Sequence, residues 1–500
     1  MLKKIELGLL AALLALAAGV AGNTWRQSSR QLQVAPLAPL AIDEPAVADR
    51  LAQAVRLQTV SSASDAQLNA DQFRALHALL QTQFPRVHAT LKREIVNELS
   101  LLYTWEGADP KANAIVLLAH QDVVPVAPGT EGDWQQPPFA GLVKDGFIWG
   151  RGSWDDKGNL LAQLEAVERL LAEGYRPPRT IHLAYGADEE VGGHRGAARI
   201  AELLKSRGVQ ADFVLDEGLL VLDGVMPGLK QPAALIGVAE KGYLSVRITV
   251  TAPPGHSSMP PRPGSSAIAL LSAGLDRLEH APMPAGIRGV AGEMFGTLAP
   301  EMGGLARVAL SNLWLFGPLV QKQLEGGAST NAMLRTTTAL TMLQAGNKDN
   351  VLPGRAEATV NFRMLPGETR EQVLRHVRQQ LARVVPEGQF EVTALPGGKE
   401  ASQVAPTDSA PYQMLARTVR EVFPDALVAP GLMVAGTDSV HYEAISRHVF
   451  KFSPIRAVSD DLPRFHGTDE RLGVTHYANA IRFYHRLIPQ LGVPGSSVGR

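Results

Sequence analysis

The 500-residue chain contains no cysteine. Disulfides and thiolate chemistry are therefore excluded, and any bound metal must be held by His, Asp and Glu. An excess of one charge is also missing: 48 Lys and Arg stand against 49 Asp and Glu, a net −1 at pH 7. No basic field is left to hold nucleic acid. The chain shows neither an internal repeat nor a low-complexity tract. What is present is the composition of an ordinary globular protein, 45% hydrophobic and 19% charged, at a length that exceeds one compact core.

The N-terminus departs from that composition. Lys3 and Lys4 precede an uncharged Leu- and Ala-rich run from Leu7 to Gly22 that ends in small residues. A charged start, an apolar middle and a small-residue end are the parts of an export signal. The run is about 16 residues, short of the roughly 20 that span a bilayer comfortably. Residues 1–22 are expected to be a signal peptide or a membrane anchor, which makes the protein periplasmic, secreted or membrane-attached. Residues 23–45, with Pro36, Pro39 and Pro45, are expected to be a linker.

From Ala46 to Lys241 strands and helices alternate. Ala114–Ala119 is a continuous apolar run ending at His120, the pattern of a strand buried on both faces. Leu160, Leu161, Leu164, Val167, Leu170 and Leu171 have helical spacing, and Thr180–Tyr185 and Phe213–Leu215 are further short strands. The expected fold class is α/β, with a mainly parallel sheet in the catalytic domain. At Gly242 the pattern changes. Leu244, Val246, Ile248 and Val250 alternate with polar residues, as in an antiparallel strand with one wet face. Residues 242–363 are expected to form an inserted α+β lid or dimerisation domain, with 243–251 as an edge strand. Residues 364–491 complete the catalytic domain, and 492–500 are an expected disordered tail.

Five segments carry chemistry. In His120-Gln121-Asp122, residues two apart in a strand point the same way, so His120 can bind metal while Asp122 fixes its other ring nitrogen. Asp155 and Asp156 lie among glycines between a strand and a helix. Asp188-Glu189-Glu190 follows an apolar strand; one of these acids can bind metal while a neighbour acts as general base. Asp216-Glu217 follows Phe213–Leu215, and His466 supplies a second imidazole far downstream. Parallel sheets gather such strand ends. Nitrogen and oxygen donors suit zinc, with manganese or cobalt as substitutes.

These segments together resemble the M20 metallopeptidase family, whose members include aminoacylases and carboxypeptidases. The motifs are HQDVVPV (120–126), WGRGSWDDKG (149–158), DEEVGGH (188–194), LDEG (215–218), PGHSSMPP (254–261) and FHGTDERL (465–472). The PGHSSMPP motif and residues 335–354 resemble the carboxypeptidase S and N-fatty-acyl-amino-acid synthase/hydrolase branch. The resemblance implies two zinc ions bridged by Asp155, with His120 and either Asp216 or Glu217 at one, and Glu190 and His466 at the other. It implies Glu189 as general base, Asp122 orienting His120, and a cis Asp155–Asp156 peptide. It further implies that His256 reaches a substrate carbonyl, in many members across a dimer, that Asn350 and Arg363 contact substrate, and that Gly436–Ser439 lies near the substrate carboxylate. The implied substrate is an N-acyl amino acid or a short peptide. Met283, Met294, Phe295, Leu313, Trp314, Leu315 and Phe316 are candidates for an acyl channel.

Overall fold

The structure, a computed structural model, describes residues 2–491 apart from Pro36 and Pro227; the expected tail 492–500 lies outside them. Its centre is an eight-stranded sheet. The strand order is Lys92–Val96, Ser100–Trp105, Ile181–Gly186, Ala114–His120, Ala211–Leu222, Val449–Ala457, Ala233–Glu240 and Leu427–Met433. Ala114–His120 runs parallel to both neighbours, and so do the pairs 211–222/449–457 and 233–240/427–433. Antiparallel strands at one edge and a reversal at 221–222 make the sheet mixed.

The apolar run 114–119 is continuous because both of its faces are covered. Ile115, Leu117 and Ala119 pack with helices Lys157–Ala172 and Val474–Gln490. Val116 and Leu118 pack with Ala197, Ile200 and Leu204 of helix Ala197–Ser206. Burial on both sides leaves no position for a polar residue until the strand ends at His120.

A second core lies under a four-stranded antiparallel sheet ordered Thr337–Ala345, Arg355–Met364, Gly242–Thr251 and Phe390–Ala394. Leu244, Val246, Ile248 and Val250 face Leu270 and Leu271 of helix Ala267–His280, and Val373 and Val377 of helix Arg370–Leu381. Two expectations change here. Strand Gly242–Thr251 is interior, flanked on both sides. The edges are Thr337–Ala345, with Leu340, Met342 and Leu343 exposed, and Phe390–Ala394. The small sheet also continues past 363, because strand Phe390–Ala394 pairs with Gly242–Thr251. The chain leaves the large sheet at Glu240 and returns beside its own exit. Tyr243 and Lys399 exchange backbone hydrogen bonds of 2.9 and 2.8 Å, and the Ser402 amide donates to the Glu240 carbonyl.

The segment between these strands does not stay with the small sheet. Helix Gly289–Leu298 packs Met294, Phe295 and Leu298 against Leu235, Leu427 and Ala429 at the edge of the large sheet. Met283 sits in the small core, while Trp314 and Leu315 are exposed. The seven candidate acyl-channel residues are thus split among separate places. At the N-terminus, Leu2–Arg26 is one 25-residue helix, so its last turn includes residues expected in the linker.

Candidate active site

His120 closes its strand, Glu189 and Glu190 form a helical turn three residues after Ile181–Gly186, and Asp216 and Glu217 lie inside Ala211–Leu222. The last pair sits where that strand's partner changes: Leu215 still pairs with Leu117, and Val221 already pairs with Ala234. Gly218 permits the switch, since its φ is +142° and a Cβ there would lie 2.8 Å from the Lys451 Cβ. Asp155 comes from elsewhere. Its turn follows Phe147–Trp149, a strand of a separate three-stranded sheet with Leu142–Lys144 and Arg471–Gly473. That sheet joins the Asp155 turn to the His466 loop, which the main sheet does not do.

The five side chains converge. Asp155 Oδ1 is 2.9 Å from His120 Nε2, and its Oδ2 is 2.8 Å from His466 Nε2. Glu217 Oε1 lies 3.6 Å from His120 Nε2, and Glu190 Oε2 lies 3.3 Å from His466 Nε2. One carboxylate therefore faces two imidazoles, each with its own second acid. Asp216 points elsewhere, and its Oδ1 accepts from the Glu217 amide at 2.9 Å. Ligand atoms lie within 4.8 Å of one another in the triads His120–Asp155–Glu190 and His120–Asp156–Glu217. The Asp155–Asp156 peptide is cis.

The charges show what the cluster lacks. Burial, then repulsion from Asp155, pushes Glu190 up to about 7. The same two causes push Glu217 up to about 7. Burial raises Asp216 to about 6 and holds Glu189 and Asp156 well above the usual carboxylate range. Burial opposes ionisation of Asp155 too, but hydrogen bonds from His120 and His466 outweigh it and hold its pKa low. Contacts with Asp155 and Glu190 raise His466 to about 10. Glu190 Oε1 is buried without a hydrogen-bond partner. Too many acids share too little positive charge, and an all-N/O donor set with an orphaned carboxylate oxygen fits divalent cations.

Surrounding groups fix the geometry. His120 Nδ1 lies 2.9 Å from the Asp122 carbonyl and 3.3 Å from its carboxylate, so the backbone contributes the closer contact. The Asp122 carboxylate also accepts from the amides of Glu189 and Glu190, both at 3.1 Å, and from the Ser61 hydroxyl at 2.7 Å. One residue thus aims His120 and fixes the acidic turn. Glu470 is fully buried and accepts from the amides of Gly152, Trp154 and Asp155 at 2.9, 3.0 and 3.2 Å. Its other oxygen takes Arg151 Nη1 at 2.6 Å, while Arg151 Nη2 donates to the carbonyls of His466 and Gly467 at 3.1 and 3.0 Å. His466 itself has a φ of +59°, uncommon for a residue with a side chain.

Residues 116–490 match the model of Peptidase family M20/M25/M40. The chain belongs to this family. It is 42% identical over 445 residues to the zebrafish (Danio rerio) N-fatty-acyl-amino acid synthase/hydrolase PM20D1.1, covering 88% of this chain and 84% of the relative. It is 40% identical over 451 residues to Homo sapiens N-fatty-acyl-amino acid synthase/hydrolase PM20D1, covering 89% and 87%. It is 30% identical over 488 residues to Saccharomyces cerevisiae carboxypeptidase S, covering 88% and 83%. The M20 family metallo-carboxypeptidase Sso-CP2 from Sulfolobus solfataricus superimposes with a TM-score of 0.64 at 17% identity, over 90% of this chain and 99% of that one. This M20 chain is therefore a metal-dependent hydrolase by fold, of a family that acts on amide and peptide bonds.

Three residues implied by the resemblance stand apart. His256 and Asn350 meet at an exposed pairing of Gly255–His256 with Val351–Leu352, where Ser257 donates to the Asn350 carbonyl. Arg363 lies on the small sheet with its guanidinium 4.9 Å from the Tyr243 ring centroid. Among the described residues, none of the three shares a hydrogen bond or ion pair with the cluster. Conversely, Arg151, Glu470, Ser61 and Asp156 were given no role from sequence. Arg151, Asp156 and Glu470 stand inside motifs already singled out, but the pairing of Arg151 with Glu470 across 319 residues leaves no local sign.

Proposed function

We propose that the chain is a dinuclear metalloenzyme that hydrolyses, or in reverse forms, the amide of N-acyl amino acids with long apolar acyl groups. The observation that carries this reading is Asp155, whose two oxygens reach His120 and His466 at 2.9 and 2.8 Å. In that arrangement His120 and Glu217 would hold one divalent cation and Glu190 and His466 a second, with the Asp155 carboxylate between the two pairs. Glu217 is preferred to Asp216 because it alone of the two makes an ion-pair contact with His120. Zinc suits the donors, and cobalt or manganese would substitute. When bound, such cations polarise an amide carbonyl and acidify water.

The chain's own groups do the rest. Glu189, a carboxylate whose pKa burial raises, takes a proton from the attacking water and returns it to the leaving nitrogen. Asp122 and Ser61 hold its turn in place. Arg363 binds the substrate carboxylate in a two-pronged contact, and Asn350 adds a polar contact. His256 donates to the carbonyl oxygen. All three ride on the small domain, which must approach the cluster for catalysis, in the same subunit or across a homodimer.

The fatty-acyl substrate is favoured because three relatives at 40% identity or above carry that activity in their names, while the Dictyostelium discoideum probable carboxypeptidase S-like 2 stands at 38% and Saccharomyces cerevisiae carboxypeptidase S at 30%. The zinc-loaded enzyme should cleave N-oleoyl-phenylalanine and leave Gly-Leu nearly untouched. Faster cleavage of Gly-Leu would instead make it a carboxypeptidase or dipeptidase for short peptides.

The N-terminal helix is read as an uncleaved export anchor. Lys3–Arg26 has a mean hydropathy of 2.1 in its apolar window, of which none is buried. The end of this helix is hydrogen-bonded to the body through Asn23 and Asn312, contacts that a discarded signal would not need.

A further inference from the structure

We propose that helices Gly304–Ser311 and Leu313–Glu325 form a second membrane contact, lying in the anionic headgroup layer of the bilayer that the N-terminal helix enters. The proposal rests on the anchor reading above and extends it to a surface of the folded body.

Leu313–Glu325 has no buried side chain, although its first eight residues, Leu-Trp-Leu-Phe-Gly-Pro-Leu-Val, are uncharged and mostly large and apolar. Trp314 is 64% exposed, Leu319 67% and, on the preceding helix, Leu305 86%. Such an array on a soluble surface marks an interaction site. The pair of helices is not loose. Ala306 and Leu310 pack onto the core built by Met294, Phe295 and Leu298. The residue between the two helices, Asn312, is fully buried.

What covers the exposed face follows from where Asn312 reaches. Its Nδ2 donates to Thr24 Oγ1 at 2.9 Å and to the Val20 carbonyl at 3.4 Å, and Asn23 Nδ2 donates to the Ser311 carbonyl at 2.6 Å. A helix rises about 1.5 Å per residue, so crossing a hydrocarbon core of about 30 Å takes about 20 residues. The uncharged run Leu7–Gly22 is a few residues shorter than that, so its far boundary falls close beyond Gly22, in the turn that Asn312 grips. Trp25, 85% exposed, follows at the level where indole rings settle. The hairpin is therefore fixed to the helix at the bilayer surface.

Charge agrees with that placement. No acid occurs between Glu6 and Asp43 or between Glu301 and Glu325, while Arg26, Arg30, Arg307 and Lys322 do. Arg307 donates to the Gln27 carbonyl, which puts its guanidinium beside the helix exit. Apolar side chains accompanied by basic ones, with the terminal Glu325 paired to Arg335 at 2.9 Å, are the composition of an interfacial helix on anionic lipid.

The absence of cysteine makes the test direct, because a single introduced thiol is the only labelling site. The full chain carrying Leu319→Cys, Leu10→Cys or Ile95→Cys is labelled with an environment-sensitive dye and reconstituted in phosphatidylcholine/phosphatidylglycerol vesicles. Lipids with a quencher near the headgroup should quench the residue-319 label several-fold more than the residue-95 label, with a blue-shifted emission. Quenchers deep in the bilayer should reach the residue-10 label. A quenched residue-10 label with residue 319 in water overturns the proposal and leaves the anchor standing. A blue-shifted but unquenched residue-319 label means cover by protein, such as a second copy, and also overturns it. A residue-10 label out of reach of lipid removes the anchor reading and this proposal together.

Discussion

Arg151 and Glu470 form a fully buried ion pair that locks the turn carrying Asp155 to the loop carrying His466. Glu470 holds three amides of the first element, and Arg151 holds two carbonyls of the second. Removing one partner of a buried pair leaves an uncompensated charge, at a cost of about 3–5 kcal/mol. Glu470→Gln should therefore lower the melting temperature and weaken metal binding by about 10–100-fold, the range seen when groups supporting a ligand are lost. A variant with unchanged melting and unchanged metal content would show that the pair is dispensable.

Among the described residues the Glu189 carboxylate makes no hydrogen bond or ion pair with the two-imidazole cluster, which leaves it for proton transfer in the proposed mechanism. Glu189→Gln should keep both metal ions and lose most of its turnover, roughly 10²–10⁴-fold for a general acid–base. Metal analysis beside kcat separates the two roles. Loss of metal would make Glu189 a ligand, and normal turnover would refute the base assignment.

Metal uptake should release protons. Without cations, His120 is held well above its ordinary pKa, because hydrogen bonds to Asp122, Asp155 and Glu217 outweigh burial. His466 is raised to about 10, and Glu190 and Glu217 to about 7. At pH 7 both imidazoles are protonated and both acids are near their midpoints, yet metal binds only the deprotonated forms. Affinity should thus rise with pH from below 7 towards 10. Calorimetry in buffers of different ionisation enthalpy should find about two or more protons released per site cluster filled. Zero release at pH 7 would contradict the ligand set. A chelator should abolish activity and zinc should restore it.

Dimerisation that brings His256 to a partner's cluster could use an apolar edge of the small sheet. Thr337–Ala345 is an open edge with Leu340, Met342 and Leu343 exposed. Unpaired edges with apolar side chains associate. Leu343→Lys should produce a monomer in light scattering. If His256 acts in trans, kcat should fall with it by about 10²–10³-fold, the usual cost of losing an oxyanion donor. A fully active monomer would place His256 within its own subunit.

Much of this arrangement was legible in the residues. The run 114–119 marks a strand covered on both faces, and its end marks His120. Five of the six motifs carry Asp155 and the side chains that meet around it, namely His120, Glu190, Glu217 and His466. Other features were not legible, for physical reasons. Alternation identifies 242–251 as a strand with one wet face but says nothing about which neighbours complete its hydrogen bonds, so an interior strand reads as an edge. The limit at 363 failed because strand Phe390–Ala394 joins the small sheet across a helix, a pairing with no local periodicity. The preference for Glu217 over Asp216 rests on its 3.6 Å approach to His120, a contact between residues 97 apart with no local sign in the sequence. The apolar residues from Met283 to Phe316 read as one group, yet packing divides them between two cores and a surface.

The paired exit and return at Tyr243 and Lys399 have a consequence for how such enzymes diversify. A module whose two ends sit side by side is a cassette. Its small sheet can be lengthened, trimmed or exchanged without rerouting the large sheet, provided helix Gly289–Leu298 still covers Leu235, Leu427 and Ala429. Arg363, Asn350 and His256 lie in the cassette, whereas His120, Asp155, Glu190, Glu217 and His466 lie outside it. With the roles proposed above, substrate contacts can therefore drift while the five clustered side chains stay as they are.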